Sequence, residues 1–230
     1  MSIVELLTLD VGNTTVDACA FTDFGHRYLG RYRHDEVEKL KGVGEIVVAV
    51  SVKPSVNESL RRVFGKKLRL LSKEDIPLKV SYRTPRTLGT DRVLFAYGVK
   101  EFYSQDAVLV MVGTALVIDL LLEGEFKGGF VSAGPVLKLR ALHEATEGIP
   151  RLELRQSGAI VGKSTEECVL GGILRESVSF IKSTAELWSE EFKKELPIYI
   201  TGGDGYLFVE LGTYDPLILH RAMRRIIIHD

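Results

Sequence analysis

Two segments of the chain combine apolar residues with a glycine-containing turn beside threonine, a pattern that suits phosphate binding. The first segment spans residues 6–17 and the second spans residues 108–119, with Gly12 and Gly113 at the two turns. A glycine has no Cβ, so backbone N–H groups can approach a phosphate closely, and a neighbouring hydroxyl adds a donor. Two such copies facing each other could hold a nucleoside triphosphate. The repeat therefore predicts a phosphotransferase.

The composition is that of an ordinary globular protein and argues against several classes of partner. The 230 residues are 45% hydrophobic and 27% charged, with a net charge of −1. No overall field therefore attracts nucleic acid or an anionic membrane. The sequence has neither a run approaching the ~18 apolar residues of a membrane span nor a leader pattern at Met1. We expect a cytoplasmic protein of one large or two small domains.

The cysteines and histidines give no indication of a metal site. Cys19 and Cys168 are the only cysteines, and both stand in apolar surroundings without the spacing of metal ligands. Buried, reduced thiols are therefore expected. The five histidines form no cluster of ligands in the sequence. A structural metal is not expected.

The hydrophobic pattern predicts a similar order of elements in both halves of the chain. In the first half we expect strands at 3–11, 14–21, 27–33, 45–52 and 67–72, and helices at 34–41, 54–62 and 89–104. In the second half we expect strands at 107–112, 115–122, 126–131, 151–155 and 196–201, and helices at 135–146, 165–188, 205–211 and 216–227. This order predicts a duplicated α/β fold of two mixed-sheet halves, residues 1–105 and 106–230, with a nucleotide cleft between them.

The long predicted helix at 165–188 has apolar residues spaced to form one continuous stripe. They occupy positions 169, 170, 173, 174, 178 and 181, and Ser177 lies on the same face. Spacings of three and four residues place side chains on the same face of a helix. The stripe predicts that this face is buried, either in the core or against a second copy of the chain.

With these motifs in view, the chain resembles type III pantothenate kinases, which belong to the acetate and sugar kinase/Hsp70/actin superfamily. The similarity runs from Asp10 to about Ile228 and depends on several motifs in the order of the family. They are Asp10-Val11-Gly12-Asn13-Thr14, Gly89-Thr90-Asp91-Arg92, Gly113-Thr114-Ala115, Gly128-Gly129-Phe130-Val131 with Gly134, Gly162-Lys163-Ser164-Thr165, and Thr201-Gly202-Gly203. The resemblance implies an actin/ribonuclease H-like fold and a homodimer. It also implies transfer of a phosphoryl group from ATP to pantothenate, the first step toward coenzyme A.

The resemblance also implies which residues bind the nucleotide and its Mg²⁺. The first phosphate turn comprises Asp10, Val11, Gly12, Asn13, Thr14, Thr15, Val16 and Asp17. Asp10 lies near Mg²⁺, which needs only one or two carboxylates beside water and phosphate oxygens. Thr114 belongs to the second turn, and Gly202 and Gly203 face the adenosine. The alternatives are an ordinary hairpin at the first turn and a plain tight turn after Thr201.

Pantothenate is assigned by the same resemblance to the Gly89-Thr90-Asp91-Arg92 motif. Asp91 is the general base for the substrate hydroxyl, because phosphoryl transfer needs positioning more than strong deprotonation. The planar fork of Arg92 suits the substrate carboxylate. Tyr82 and Thr165 are further substrate contacts. The alternatives are a capping Asp91 with a surface ion pair, a packed Tyr82, and Thr165 as an ordinary N-cap.

One position departs from the family pattern. The second turn usually begins with an Asp that helps hold a monovalent cation, and this chain has Met111 there. A thioether does not replace a carboxylate as a ligand for K⁺ or Mg²⁺. Leu116 and Val117 stand where hydroxylated residues are often found. Activity without K⁺ or NH₄⁺ is one outcome, compensation by Asp119 is a second, and a weak or inactive relative is the third.

These observations leave three functions to compare. The retained Asp10, Asp91, Arg92 and Thr114 favour an ATP-dependent pantothenate kinase. Met111 favours a non-catalytic or regulatory homologue, since part of the family was named for an accessory role in gene regulation. A kinase or phosphatase for another small substrate is the third, because fold does not fix function. The motif at residues 89–92 argues against that third function.

Overall fold

The computed structural model describes residues 5–229 and divides into two units. The first unit comprises Met1–Tyr103 together with Leu217–Asp230, and the second comprises Ser104–Pro216. The predicted boundary lies after residue 105, with the whole remainder in the second half. The structure instead groups the last segment with the first unit.

The first unit is built on a five-stranded mixed sheet. Its strands are β1 (Leu6–Val11), β2 (Thr15–Thr22), β3 (Gly25–Arg33), β4 (Ile46–Ser51) and β5 (Leu68–Leu70). A short strand outside this sheet, β6 (Lys79–Val80), follows β5 in the chain. The sheet order is β3-β2-β1-β4-β5, in which β1, β2 and β3 are antiparallel neighbours and β4 and β5 are parallel. Its α-helices are α1 (Pro54–Phe64), α2 (Thr90–Phe102) and α5 (Ile218–His229).

The last helix belongs to the first unit because it packs on β1 and α2. A Cβ added at Gly98 of α2 would lie 2.9 Å from Cγ1 of Ile218, so the glycine permits close helix packing. Oγ1 of Thr8 lies 2.8 Å from Nδ1 of His220 and donates to the carbonyl of Cys19 at 3.1 Å. Burial lowers the pKa of His220 to about 4, so the imidazole is neutral at pH 7. These contacts fix α5 against the strand that leads to the first turn.

The second unit repeats the same arrangement of strands. It contains β7 (Ala107–Val112), β8 (Ala115–Leu122), β9 (Glu125–Ala133), β10 (Ile198–Thr201) and β11 (Thr213–Tyr214), with α3 (Pro135–Ala145) and α4 (Thr165–Phe192). Within this unit the strand order is β11-β10-β7-β8-β9. Antiparallel β7, β8 and β9 correspond to β1, β2 and β3, and parallel β10 corresponds to β4. The predicted duplication of a mixed-sheet α/β scheme is confirmed.

Three predicted elements differ from those in the structure. Residues 151–155, predicted as a strand, form no regular element, although Leu152 and Leu154 pack on the core. Apolar and charged residues alternate there as in a strand, but the chain stays unpaired. The predicted helices at 34–41 and 205–211 are the 3-10 helices His34–Leu40 and Gly205–Leu211. Residues 3 and 4 of the first predicted strand lie outside the described residues.

The apolar stripe of α4 is covered by the core of the second unit. Leu174 and Ile181 pack against the residues of β7, β8 and β10 that form the main core. Leu170 and Ile173 form a smaller cluster with Leu139 of α3. Burial by the chain itself accounts for the stripe, so it no longer supports a dimer.

The two cysteines differ in their surroundings. Cys19 is buried as expected, and burial raises the pKa of its thiol to about 11. Cys168 is exposed on the first turns of α4, so the expectation that it is buried was wrong. Local apolar neighbours in sequence do not decide which face of a helix a residue occupies. Among the described helices, none has the length and apolar character needed to cross a membrane.

Candidate active site

The first turn connects β1 to β2 and keeps its outer face open. Asp10 pairs with Asp17 across the two strands, and the amide of Gly12 donates to the carbonyl of Thr15 at 2.9 Å. A Cβ placed on Gly12 would meet no atom closer than the Thr15 oxygen at 3.5 Å, which is an ordinary contact. The packing of the turn therefore does not require a glycine. The open space is what a phosphate would need for a close approach to the backbone.

Carboxylates from both sides of this turn and from α2 come near one another. The pKa of Asp10 is raised to about 7, mainly by burial and then by the negative charges of Asp91 and Asp17, whereas Arg31 opposes the shift. Asp17 accepts hydrogen bonds from the hydroxyl of Tyr28 and from Nε of Arg31, the latter at 3.1 Å. The structure thus brings together the two acids that the sequence analysis assigned to Mg²⁺ and to general base catalysis.

This arrangement fits a hydrated magnesium ion bound mainly through the nucleotide. A carboxylate whose pKa is raised by other negative charges gains from a nearby divalent cation. The described residues contain no group of three or more His, Cys, Asp or Glu side chains arranged to enclose a metal. Mg²⁺ commonly keeps several waters and uses one or two carboxylates with phosphate oxygens. Asp10 is sufficient for that type of site.

The Gly89-Thr90-Asp91-Arg92 motif forms the start of α2, with Thr90 as its first residue. Oδ1 of Asp91 accepts the amide hydrogen of Arg92 at 2.9 Å, which holds the carboxylate at the helix N-terminus. A Cβ on Gly89 would lie 2.4 Å from that same Oδ1, so a larger residue would displace the carboxylate. The lack of a side chain at Gly89 therefore leaves the space that the Asp91 carboxylate occupies.

Tyr82 and Arg92, the two predicted contacts for pantothenate, lie next to each other. The guanidinium carbon of Arg92 is 5.9 Å from the centre of the Tyr82 ring. A guanidinium over an aromatic face has a defined orientation and still presents its N–H groups at the edge. Both side chains are partly exposed. They form an aromatic and cationic pair suited to a small carboxylate.

The second turn, between β7 and β8, is contacted by the backbone of Gly134, directly after β9. The amide of Gly113 donates to the carbonyl of Ala115 at 3.0 Å, and the amide of Gly134 donates to the carbonyl of Thr114 at 2.9 Å. A Cβ on Gly113 would meet nothing within 4 Å, whereas a Cβ on Gly134 would lie 1.9 Å from the Gly113 oxygen. Gly113 therefore faces open space, and Gly134 packs against the turn and binds its Thr114 carbonyl.

The Thr201-Gly202-Gly203 motif packs against the end of β7. Gly202 has a φ of +92°, and a Cβ there would lie 2.3 Å from the carbonyl oxygen of Val112. The Gly202 carbonyl accepts from the hydroxyl of Tyr214 at 3.2 Å. This glycine is required by backbone geometry, as the tight-turn alternative proposed. An adenosine contact at Gly202 and Gly203 stays a prediction.

Thr165 is not the N-cap of α4. Ser164 is the cap, since its Oγ accepts the amide hydrogen of Glu167 at 3.2 Å. Thr165 is the first helical residue and its side chain is exposed. The capping alternative for Thr165 was therefore wrong by one residue. Its contact with pantothenate stays a prediction.

Met111 occupies the position that corresponds to Asp10, but its neighbours differ. Its strand partners are Val117 on β8 and Thr201 on β10. Asp119 is buried and pairs with Leu109, two residues farther along the strand. Asp119 therefore does not stand in the position of the missing carboxylate. No acid is paired with Met111 in the described strands.

Two residues at the first turn were missed by the sequence analysis. Nε2 of His34 donates to the carbonyl of Gly12 at 3.0 Å, and Nζ of Lys53 donates to the carbonyl of Asn13 at 2.9 Å. Both residues are far from the turn in sequence, and neither belongs to a motif. The only local signal was the position of Lys53, directly before Pro54 and two residues after the end of β4.

Comparisons with known proteins give the chain a family. The family model for type III pantothenate kinase matches residues 6–187. The chain is 46% identical to a type III pantothenate kinase of Aquifex aeolicus (strain VF5) over 97% of both chains. It is 33% identical to another of Kosmotoga olearia over 74% of this chain and 66% of the relative.

Solved structures agree on the fold. A candidate Baf family transcriptional activator from Campylobacter jejuni has a TM-score of 0.71 and 22% identity, with 97% of this chain and 98% of the other covered. A candidate 2-dehydro-3-deoxygalactonokinase from Sinorhizobium meliloti has a TM-score of 0.59 and 9% identity, with 97% and 98% covered. At these identities the likeness concerns the fold alone. It agrees with the predicted duplicated α/β fold of two mixed-sheet halves.

Proposed function

The chain belongs to the type III pantothenate kinase family, and we propose that it phosphorylates pantothenate with ATP to give 4'-phosphopantothenate. This reaction is the first step of coenzyme A biosynthesis. The observation that carries the proposal is the placement of Asp10 and Asp91, because the negative charge of Asp91 adds to burial in raising the pKa of Asp10. One acid comes from the phosphate turn and the other from the substrate motif. A phosphoryl group and an attacking hydroxyl have to meet between two such groups.

Asp91 is proposed to accept the proton of the substrate hydroxyl. The hydroxyl oxygen forms a bond to the γ-phosphorus as the bond from that phosphorus to the β–γ bridging oxygen breaks, and ADP leaves. The hydrogen bond from the Arg92 amide and the absence of a Cβ at Gly89 hold the Asp91 carboxylate in one orientation. Such positioning is the main contribution a protein makes to a loose phosphoryl-transfer transition state.

Arg92 and Tyr82 are proposed to bind the pantothenate carboxylate and the body of the molecule. The guanidinium offers paired N–H donors that match a carboxylate, and its place over the Tyr82 ring limits its rotation. Thr90 and Thr165 are proposed as further contacts. Because Arg92 directly follows Asp91, binding of the carboxylate also fixes the distance between the substrate and its base.

The nucleotide is proposed to use both turns and a magnesium ion. Asn13, Thr14 and Thr114 supply backbone and hydroxyl donors for phosphate oxygens, and Asp10 holds Mg²⁺ through a carboxylate oxygen. When bound, Mg²⁺ would neutralise charge that develops on the phosphate oxygens. Gly12 and Gly113 leave the space in front of these donors open.

Three further features are proposed with the reaction. Met111 has an apolar strand partner in Val117, so we propose that catalysis does not depend on K⁺ or NH₄⁺. The homodimer is proposed from the family resemblance alone. We expect the reaction to take place in the cytoplasm, where ATP is supplied. Met111 is the only feature that favours the regulatory alternative: relatives at 46% and 33% identity are pantothenate kinases, and the structure described as a transcriptional activator is only 22% identical.

The central experiment measures ATP consumption with pantothenate and with a panel of other small alcohols. We expect turnover with pantothenate only, and Asp91→Asn should reduce kcat by about 10²–10⁴-fold because the general base is lost. Circular dichroism and thermal unfolding of the variant check that the fold is intact. Wild-type turnover by Asp91→Asn would refute its role, and turnover with a different alcohol alone would refute the substrate.

A second variant separates substrate binding from nucleotide binding. Arg92→Ala should weaken pantothenate by an amount equivalent to about 1.5–3 kcal/mol, since a hydrogen-bonded charge pair is lost. Binding of a non-hydrolysable ATP analogue should change little. Isothermal titrations with each ligand measure both effects. Equal losses for the two ligands would count against a carboxylate contact at Arg92.

A further inference from the structure

The carbonyls of the first turn are held by two side chains from different parts of the first unit. The imidazole of His34 donates through Nε2 to the Gly12 oxygen, and the ammonium of Lys53 donates to the Asn13 oxygen. His34 begins the 3-10 helix after β3, and Lys53 directly precedes α1. Two consecutive peptide groups are therefore fixed from outside the turn.

Fixing a carbonyl also fixes the direction of the next amide. In a trans peptide the C=O of one residue and the N–H of the following residue point in opposite directions. With the Gly12 and Asn13 carbonyls turned toward His34 and Lys53, the N–H groups of Asn13 and Thr14 point to the opposite side. Within the described part of the chain, neither of these two amides makes a hydrogen bond. They are free donors on the open side of the turn.

The backbone that carries Lys53 is fixed by hydrogen bonds. The amide of Lys53 donates to Oγ of Ser51 at 3.2 Å, and the Ser51 hydroxyl donates back to the Lys53 carbonyl at 3.3 Å. The amide of Val52 donates to Val11 at 3.0 Å, so this segment is tied to the strand that enters the turn. Because this backbone is already fixed, only the side chain of Lys53 loses conformational entropy when it makes its bond.

The segment that carries His34 is fixed in a similar way. The amide of Arg33 donates to the Glu36 carboxylate at 2.9 Å, and the Arg33 guanidinium binds Asp35 at 2.7 Å. Arg33 itself pairs with Thr15 at the beginning of β2. His34 is thus held at the same end of the sheet as the turn, and the imidazole reaches the Gly12 carbonyl without a long flexible chain.

We propose that His34 and Lys53 are positioning residues that orient the Asn13 and Thr14 amides toward the phosphates of the nucleotide. The proposal rests on the proposed function, because it deepens the role of the first turn as a phosphate-binding site. Lys53 also adds a positive charge near a site that contains Asp10, Asp17 and Asp91. Together with Arg31, which forms an ion pair with Asp17 at 3.1 Å, Lys53 offsets part of the negative charge that an anionic nucleotide would meet there.

A purely structural role would give a different result from a positioning role. If the two bonds only stabilised the hairpin, their loss would lower the melting temperature and weaken both ligands to a similar extent. If they orient the amides, their loss lowers the affinity for the nucleotide and leaves the affinity for pantothenate unchanged, because the pantothenate residues Asp91 and Arg92 belong to α2. Nucleotide affinity relative to pantothenate affinity is therefore the informative measurement.

The test compares four variants of the full chain by calorimetric titration with Mg²⁺ and a non-hydrolysable ATP analogue, and separately with pantothenate. Lys53→Met removes the donor but keeps the length of the side chain, and Lys53→Arg keeps a donor. His34→Leu removes the other donor, and His34→Gln keeps an N–H group at a similar position. Lys66→Met, at an exposed lysine of the 3-10 helix after α1, is the matched control.

We expect Lys53→Met and His34→Leu each to raise the Kd for the nucleotide roughly tenfold, and Lys53→Arg and His34→Gln to recover most of it. Pantothenate affinity and the control should stay at wild-type values. Unchanged nucleotide affinity in both donor-free variants would overturn the proposal, as would equal losses for the two ligands. If Lys53→Met fails to fold, the comparison of His34→Leu with His34→Gln tests the proposal. If His34→Leu fails to fold, the comparison of Lys53→Met with Lys53→Arg tests it. A wild-type protein that binds no nucleotide would instead refute the proposed function itself.

Discussion

The two turns have the same chain path but are held in different ways. In the first turn, the carbonyls of Gly12 and Asn13 are bound by the side chains of His34 and Lys53. In the second turn, the carbonyl of Thr114 is bound by the backbone amide of Gly134. Side chains reach across open space, whereas a backbone amide has to come close. An added Cβ would meet no close contact at Gly12 or Gly113, but at Gly134, which contacts the second turn, it would lie 1.9 Å from the Gly113 oxygen.

Glycine has two different roles in these turns, and the sequence motif alone does not show which glycine has which role. Gly12 and Gly113 face open space, so their lack of a side chain matters for whatever approaches the turn. Gly134 and Gly202 touch backbone, so their lack of a side chain matters for the fold of the second unit. The charges differ too, since Asp10 of the first turn corresponds to Met111 of the second. The first turn thus carries a charged residue and has its carbonyls bound by side chains, whereas the second lacks that charge and has a carbonyl bound by a backbone amide.

The largest expected effect comes from adding a methyl group behind the second turn. Gly134→Ala should lower the free energy of unfolding by about 3 kcal/mol, because the Cβ overlaps the Gly113 carbonyl and the backbone must move. Gly12→Ala should change it by less than about 0.5 kcal/mol, because its nearest new contact is ordinary. Urea unfolding measures both. Similar losses in the two variants would show that the turns do not differ in this way.

A smaller effect concerns the charge at the first turn. The pKa of Asp10 is raised from 3.8 to about 7 in the folded protein. The folded state therefore keeps a proton that the unfolded chain has released, and stability without ligands falls as the pH rises from about 4 to about 7. Asp10→Asn should remove this loss, so the variant should melt at a higher temperature than wild type at pH 8 and at nearly the same temperature at pH 4.

The control for this pH series is Asp23→Asn, since Asp23 is an exposed acid in the turn between β2 and β3. It should leave the pH dependence of melting unchanged. The same Asp10→Asn protein should lose catalytic activity with Mg²⁺ and ATP. A gain in stability together with a loss of activity would mark Asp10 as a functional residue kept at a structural cost. A uniform shift in melting temperature at every pH would contradict the assigned cause.

The smallest expected effect concerns activation by monovalent cations, because the second turn has Met111 in place of a carboxylate. The wild-type protein should show little activation by K⁺ or NH₄⁺, because Met111 offers no hard oxygen ligand. Met111→Asp restores a carboxylate beside Gly113 and Thr114 and should create or strengthen K⁺ dependence. Initial rates across a K⁺ series, with Na⁺ holding ionic strength constant, measure the difference. Strong K⁺ activation of the wild type would mean that another residue holds the cation.

The repeated strands, both turns and the start of α2 could be predicted because each depends on residues close in sequence. Thr90 through Phe102 form a helix near the expected limits, and residues 165–192 extend the predicted long helix by four residues. The strand at 151–155 failed because alternation of Leu152 and Leu154 with charges indicates an extended chain but not a hydrogen-bonded partner. Ser164 rather than Thr165 became the N-cap, since neighbouring hydroxyl residues compete for one position.

The sequence by itself determined the element order, the two glycine turns and the substitution of Met111 for an acid, because these features are local. Tertiary structure decided that α5 joins the first unit, and that Asp91 of α2 approaches Asp10 closely enough to raise its pKa. It also decided which glycines touch backbone, and that His34 and Lys53 reach the same turn. Such contacts depend on strand register and helix packing between distant residues, and periodicity along the chain does not encode those distances.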